Sequence, residues 1–208
     1  MLSTLLAFLG ACALIAASPG PSTMLIIRQS LRSRRAGFLT VLGNETGVFL
    51  WGVAAALGLT ALLAASQVAY DVLRIAGAVV LVVFGVKALL DARRGRGEEK
   101  GDGPEEPVAR SGGAAYRSGL LLNLANPKAA VFAMSFLPQF VPSGVAPLPA
   151  MIALAAVWAL FEVGYYGMYV WFVGRLRAVL SRAGVRRRLE QVSGGVLLLL
   201  GVRMAVEG

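Results

Sequence analysis

Six long apolar segments dominate this chain and decide the solvent in which it folds. Each approaches the roughly 20 residues that a helix needs to cross the hydrocarbon core of a bilayer, and 57% of all residues are hydrophobic. A spanning segment of this length forms a helix, because lipid offers its backbone no hydrogen bonds. We therefore predict an all-α membrane protein with six transmembrane helices. The segments are Leu5–Ile27, Phe38–Leu63, Val72–Leu90, Gly119–Val141, Leu148–Val173 and Val192–Val206.

Basic residues are concentrated in alternate connections between these segments. Four Arg lie within 28–35, seven Lys or Arg within 87–117 and six Arg within 175–188, whereas 67–71 and 142–147 contain none. Cytoplasmic loops carry such an excess of Lys and Arg, so we predict cytoplasmic basic loops and both termini outside. The N-terminal segment lacks the positive start of a signal peptide and is interpreted as a retained first helix.

The composition also excludes several classes of function. The net charge of +9 alternates with apolar segments, which argues against a nucleic-acid partner. Cys12 is the only cysteine and there is no His, so an intrachain disulfide, a CxxC relay and His-bound metal or haem are excluded. No nucleophile–base motif supports an intramembrane enzyme. We predict neither enzymatic activity nor a cofactor nor a metal.

A Gly-, Pro- and charge-rich stretch divides the chain into two halves. Residues 92–117 have the composition of a flexible cytoplasmic linker. On this interpretation residues 1–91 form a first unit of three helices and residues 118–208 form a second one.

Internal similarity indicates that the two halves are repeats. Leu73–Ala88 aligns with Leu189–Met204, and Glu45-Thr46-Gly47 aligns with Glu162-Val163-Gly164. Chance similarity between apolar helices is the competing interpretation. A proline break in the first helix of each half is a third shared element. Because each half crosses the membrane an odd number of times, the second is predicted to be inverted relative to the first.

Proline motifs interrupt the first and fourth segments near the middle of the bilayer. They are Ser18-Pro19-Gly20-Pro21 and Asn126-Pro127-Lys128. Proline is favourable at the first position of a helix, and Ser and Asn are good N-caps. We predict half-helices that begin at Pro19 and Pro127, with Ser18 and Asn126 as their caps. Their positive N-terminal ends, with Lys128, would form a site for a carboxylate. The alternative is a pair of kinks filled by neighbouring side chains.

Three ionisable residues lie inside the apolar segments, namely Glu45, Lys128 and Glu162. An unpaired charge at the bilayer centre costs about 2.5–3.5 kcal/mol on the insertion scale. Glu45 and Glu162 are therefore candidates for carrying a coupling proton or binding a substrate ammonium. A structural ion pair with Lys128 is the alternative for either carboxyl. Six aromatic residues are further candidates for lining a pathway: Trp51, Trp158, Tyr165, Tyr166, Tyr169 and Trp171. Trp171 is equally a candidate for an interface anchor near the cytoplasmic end.

Five stretches of the sequence resemble the LysE/RhtB family of amino-acid exporters. They are SPGPSTMLIIRQSLRSRRAGF, GVFLWGVAAALGL, LRIAGAVVLVVFGVKAL, GLLLNLANPKAAVFAMSFLPQFV and VSGGVLLLLGVRM. The resemblance covers almost the whole chain and implies a six-helix inner-membrane exporter coupled to the proton gradient. The motif positions that it carries over are Pro19, Gly20, Pro21, Asn126, Pro127 and Lys128. Asn44-Glu45 departs from the small or aliphatic residues of the family, which indicates an altered substrate or coupling preference.

These observations predict a secondary transporter in the bacterial cytoplasmic membrane. It would export amino acids or their derivatives by proton antiport with alternating access. Its partners would be a small zwitterion, protons and the lipid bilayer, while the particular amino acid, the stoichiometry and any homo-oligomer stay open. The alternative is a structural or assembly subunit without transport, for which the proline breaks and buried carboxyls would be unnecessary.

Overall fold

The structure, a computed structural model, describes residues 2–17, 20–65, 111–142, 144–173 and 183–206, with scattered positions between 72 and 93. This part of the chain is all-helical, as predicted. Its elements are α1 (Leu2–Ala17), α2 (Pro21–Arg32), α3 (Arg34–Ala65), α4 (Gly112–Leu124), α5 (Pro127–Phe136), a 3₁₀ turn (Leu137–Phe140), α6 (Pro147–Trp171) and α7 (Ala183–Val206).

Two of the described helices are long and apolar enough to cross a membrane unaided. They are Arg34–Ala61 within α3 and the whole of α6. Two bent pairs, α1 with α2 and α4 with α5 and its 3₁₀ turn, pass the same test when each pair is taken as one span. The described residues thus contain two to four candidate membrane spans.

The first break turns the chain by 68° between α1 and α2. Helix α2 begins at Pro21 with Gly20 as its N-cap, two residues later than the predicted start at Pro19. The predicted cap Ser18 and Pro19 themselves lie outside the described residues. The later start has a steric cause, because the ring of Pro21 disfavours helical dihedral angles at the residue before it. Gly20 accordingly takes extended angles, φ −138° and ψ −173°.

The second break turns the chain by 60° between α4 and α5. Helix α5 begins at Pro127, directly after Asn126, as predicted. The Asn126 carbonyl accepts hydrogen bonds from the backbone N–H groups of Ala129 and Ala130 at 3.1 and 3.3 Å. Both proline motifs therefore start a new helix after a sharp bend.

Helix α4 begins inside the stretch predicted to be a flexible linker. Ser111 caps it by accepting a hydrogen bond from the Ala114 N–H at 3.2 Å. Ala115 is fully buried, and the Tyr116 hydroxyl donates to Thr46 Oγ1 of α3 at 3.0 Å. These contacts make residues 112–117 part of the packed helix, which corrects the linker's C-terminal limit. Residues 94–110 lie outside the described part.

The last helix also starts earlier than its apolar segment. Helix α7 begins at Ala183, nine residues before the predicted Val192. A helix can extend beyond the apolar part of its sequence because its backbone hydrogen bonds are made within the helix, in water as in lipid. At the described positions of the third segment, Gly85 approaches α7 closely: a Cβ there would lie 2.8 Å from the Gly194 carbonyl oxygen.

Glycines bring α3 and α4 into backbone contact. A Cβ on Gly43 would collide with the Tyr116 carbonyl, and one on Gly119 with that of Thr40. Small residues allow such close approach between membrane helices. Thr40 Oγ1 reinforces the contact by donating to the Ala115 carbonyl at 3.2 Å.

The replacement Gly43→Leu tests this contact. We expect the variant to unfold at a lower temperature than the wild type, because overpacking a close contact costs about 1–3 kcal/mol. Gly58→Leu is the matched control, since a Cβ on Gly58 of the same helix meets nothing within 4 Å. The measurement is thermal unfolding in detergent, followed by tryptophan fluorescence. Equal midpoints for the two variants would contradict the role given to Gly43.

Two apolar clusters occupy opposite ends of the helix bundle. The first includes Phe8, Phe132, Phe136 and Trp158, and the second includes Ile26, Val41, Tyr166 and Tyr169. Along α3 and α6 the two clusters are separated by a layer of buried polar side chains, with Glu162 between Trp158 and Tyr166. The candidate functional site lies in this layer.

Candidate functional site

A cavity lies in the polar layer and is bounded by both helix breaks. Its volume is about 70 Å³, enough for several waters. Residues from α1, α2, α3, α4, α5 and α6 form its wall. They are Ile15, Gly20, Pro21, Ser22, Thr23, Asn44, Val48, Asn123, Asn126, Ala129, Phe132, Trp158, Glu162 and Tyr166.

The start of α2 and the start of α5 contribute to the same wall. Gly20, Pro21 and Ser22 come from the first break, and Asn126 and Ala129 from the second. The first N–H groups of a helix have no partner within it and give its end a partial positive charge. The cavity is therefore bordered by two helix N-termini, which favours an anionic group there. The backbone of Lys128 lies in the first turn of α5, and its side chain is outside the described part.

Glu45 and Glu162 are brought together although 117 positions separate them in the sequence. Their exposed fractions are 2% and 4%, and their carboxyl groups lie within hydrogen-bonding range of each other. Two ionised carboxyls can only accept hydrogen bonds, so a bond between them requires a proton. Glu45 Oε2 receives no hydrogen bond from any donor in the described residues. A proton held between the two carboxyls would satisfy this oxygen.

A neutral donor binds one oxygen of each carboxyl. The Trp158 indole N–H donates to Glu162 Oε1 at 2.9 Å, and Asn44 Nδ2 donates to Glu45 Oε1 at 2.8 Å. Trp158, Glu162 and Tyr166 are spaced by four residues and therefore share one face of α6. The Tyr166 hydroxyl contacts Thr23 Oγ1 at 3.5 Å and donates to the Ala16 carbonyl at 3.3 Å.

A second polar contact crosses from α4 to α3 beside the cavity. Asn123 Nδ2 donates to Asn44 Oδ1 at 3.3 Å. The Asn123 carbonyl, at the end of α4, accepts from the Trp51 indole N–H at 3.3 Å and from the Asn126 N–H at 2.9 Å. The carbonyl groups at the end of a helix have no partner within it, and these two bonds supply partners for that of Asn123.

The sequence-predicted residues divide into three groups in the structure. Gly20, Pro21, Asn126 and Glu162 line the cavity, and Glu45 lies behind it against Glu162. Ser18, Pro19 and the side chains of Pro127 and Lys128 lie outside the described part, so an ion pair of Lys128 with either carboxyl stays a prediction.

The aromatic candidates divide as well. Trp158 and Tyr166 line the cavity, whereas Trp171 is 64% exposed with Arg34 stacked 4.6 Å above its ring. Sequence reasoning did not single out Thr23, Asn44 or Asn123 as lining residues. Two features of the sequence could have pointed to the asparagines: Asn44 directly precedes Glu45, and Asn123 lies four residues before Pro127.

A buried carboxyl and two helix N-termini on one cavity of an all-helical membrane protein are typical of solute transporters. Comparison with known proteins makes this assignment specific. Residues 13–208 match the family model of the LysE type translocator, and the chain belongs to that family. It is thus a multi-pass membrane protein of a bacterial exporter family.

Individual relatives cover most of the chain. The "Uncharacterized membrane protein YrhP" of Bacillus subtilis is 26% identical over 208 residues, covering 96% of this chain and 97% of that protein. The "Threonine efflux protein" of Salmonella typhi and that of Escherichia coli K12 are each 29% identical over 181 residues, covering 85% of this chain and 84% of theirs. No solved structure matches the chain.

Proposed function

We propose that this protein exports amino acids or their derivatives across the cytoplasmic membrane in exchange for protons. The observation that carries the proposal is that groups favouring an anion and a group favouring a cation border the same cavity. Two helix N-termini border it, and so does the buried carboxyl of Glu162, which is in contact with Glu45. A small zwitterion offers the complementary pair of charges.

In this proposal the substrate carboxylate lies at the helix breaks. Ser18, Pro19, Gly20 and Pro21 form one end, and Asn126, Pro127 and Lys128 the other. Helix N-termini supply N–H donors that need no rearrangement, and Lys128 adds a full positive charge. The ammonium lies against Glu162. A neutral side chain at this position would bind the ammonium far less well than a carboxylate does.

Glu45 and Glu162 hold the coupling proton between them. Carboxyls in contact cannot both ionise easily, because like charges repel and burial removes water. An arriving ammonium takes the place of the proton and leaves the net charge of the site unchanged, and departure of the ammonium lets a proton return. This competition for one negative charge makes binding of substrate and proton mutually exclusive, which is what antiport requires.

Alternating access follows from six helices arranged as two inverted three-helix repeats. Glu45 and Glu162 are symmetry mates in this arrangement, and each belongs to the second helix of its half. The polar layer lies between two aromatic-rich clusters. Opening one cluster while the other stays closed would expose the cavity to one side at a time. The basic loops face the cytoplasm and both termini lie outside.

An efflux panel tests the proposal. Cells with and without the protein are loaded with radiolabelled amino acids, beginning with threonine because relatives carry the name threonine efflux protein. We expect faster efflux of at least one amino acid, abolished by a protonophore. Equal efflux of every amino acid at verified expression would contradict the proposal and favour a structural subunit without transport.

A further inference from the structure

We propose that Asn123 is a substrate ligand whose side-chain oxygen binds the ammonium group, and that Asn44 fixes the orientation of its amide. This inference rests on the proposed function and adds two residues to its site. Asn123 is 97% buried, lines the cavity together with Glu162, and belongs to neither proline motif.

The orientation of the Asn123 amide follows from a relay of hydrogen bonds that starts at Glu45. An ionised carboxyl oxygen only accepts hydrogen bonds, so Asn44 must turn its NH₂ group towards Glu45 Oε1. Asn44 Oδ1 then faces α4, where Asn123 Nδ2 donates to it. This bond fixes which end of the Asn123 amide is the acceptor, so Oδ1 is the atom that can accept from a further donor.

In the part of the chain that the structure describes, that oxygen has no partner. Asn123 Oδ1 is buried and receives no hydrogen bond from the described residues. A buried acceptor without a donor costs about 1–3 kcal/mol. Gly47 leaves room for the amide, since a Cβ at Gly47 would lie 2.8 Å from Asn123 Oδ1. The chain thus keeps an acceptor beside the cavity at an energetic cost, and a bound donor would remove this cost.

An ammonium group is the donor that fits these surroundings. It carries three N–H bonds, of which Glu162 uses one or two, and a second acceptor nearby improves its binding. The carboxylate end of a zwitterion cannot serve, because it would place acceptor against acceptor. Asn123 Oδ1 and Glu162 therefore bind the same end of the substrate.

Glu45 gains a second role from this arrangement. Through Asn44 it positions Asn123, and through Glu162 it shares the proton. It does not itself line the cavity. Glu45 is a positioning residue for the ammonium site, and Asn123 and Glu162 are the groups that touch the substrate.

Binding measurements on purified protein in detergent test the inference. The probes are L-threonine and 3-hydroxybutanoate, which is threonine without its amine. We expect Asn123→Leu, which keeps the side chain's size, to weaken threonine binding by about tenfold or more, as expected when a hydrogen bond to a charged group is lost. Binding of 3-hydroxybutanoate should change little.

The outcomes separate the inference from the proposed function. Wild-type threonine affinity in Asn123→Leu would overturn the inference alone. An equal loss for threonine and 3-hydroxybutanoate would also overturn it, because it would indicate a general packing role. Wild-type protein that binds no amino acid would overturn the proposed function and the inference together. Equal helical content and elution volume serve to confirm that each variant is folded.

Discussion

Replacing Glu162 with Gln is expected to reduce amino-acid export about 30-fold or more while the protein stays folded. The carboxyl is buried and binds the ammonium in the proposed site, and removing one partner of a buried charge pair costs about 2–5 kcal/mol. The amide can still accept the Trp158 N–H, so local packing is kept. The measurement is the initial rate of threonine efflux from cells at equal protein amounts.

Glu45→Gln is expected to give a different result. Its amide can donate to Glu162 in place of the shared proton, so Glu162 stays ionised and can bind the ammonium without releasing a proton. We expect threonine exchange to continue but to lose its response to an imposed pH gradient. Glu105→Gln, in the predicted linker, is the control for loss of a carboxyl. Efflux at the wild-type rate and with wild-type pH response in Glu162→Gln would contradict the role of the pair.

The second large effect is expected when the first helix break is removed. In Gly20→Ala/Pro21→Ala the restriction on residue 20 disappears, so α2 can extend backwards to Pro19, with Ser18 as its cap. The N-terminal N–H groups then move by about 3 Å along the helix axis and no longer border the cavity. A partly buried helix end stabilises a nearby charge by up to about 2 kcal/mol. Because the substrate carboxylate would lose this stabilisation, we expect threonine affinity to fall about tenfold or more.

Pro149→Ala is the matched control for the helix break. Pro149 also lies in the first turn of a helix, α6, but it is exposed and far from the cavity wall. Threonine binding by this control should equal that of the wild type. If the double variant bound threonine as tightly as the wild type, the start of α2 would not be part of the carboxylate site.

Much of the site was predictable from sequence because membrane burial makes polar residues conspicuous. Glu45 and Glu162 stand out in apolar segments, and the structure places their carboxyls together. Pro127 after Asn126 predicted the start of α5 at the right residue. The start of α2 was predicted two residues too early, because two prolines compete and the steric effect of Pro21 on Gly20 decides between them.

The residues that sequence reasoning missed are those defined by contacts across helices. Asn123 is a candidate ligand because of its contacts with Asn44 and Gly47 on another helix. Neither contact can be predicted from the local spacing of residues. The linker's limit was wrong for a similar reason. Gly112 and Gly113 suggest a loop, but Ala115 and Tyr116 are held by α3, and this tertiary packing overrides the local preference.

The measurement that tests the central claim most directly is proton release on substrate binding. Purified protein in weakly buffered detergent solution is mixed with threonine, and the pH is followed with an indicator dye. If an ammonium displaces the proton shared by Glu45 and Glu162, wild-type protein should release up to about one proton per bound threonine, and Glu162→Gln should release none. Saturable threonine binding without proton release would contradict the account.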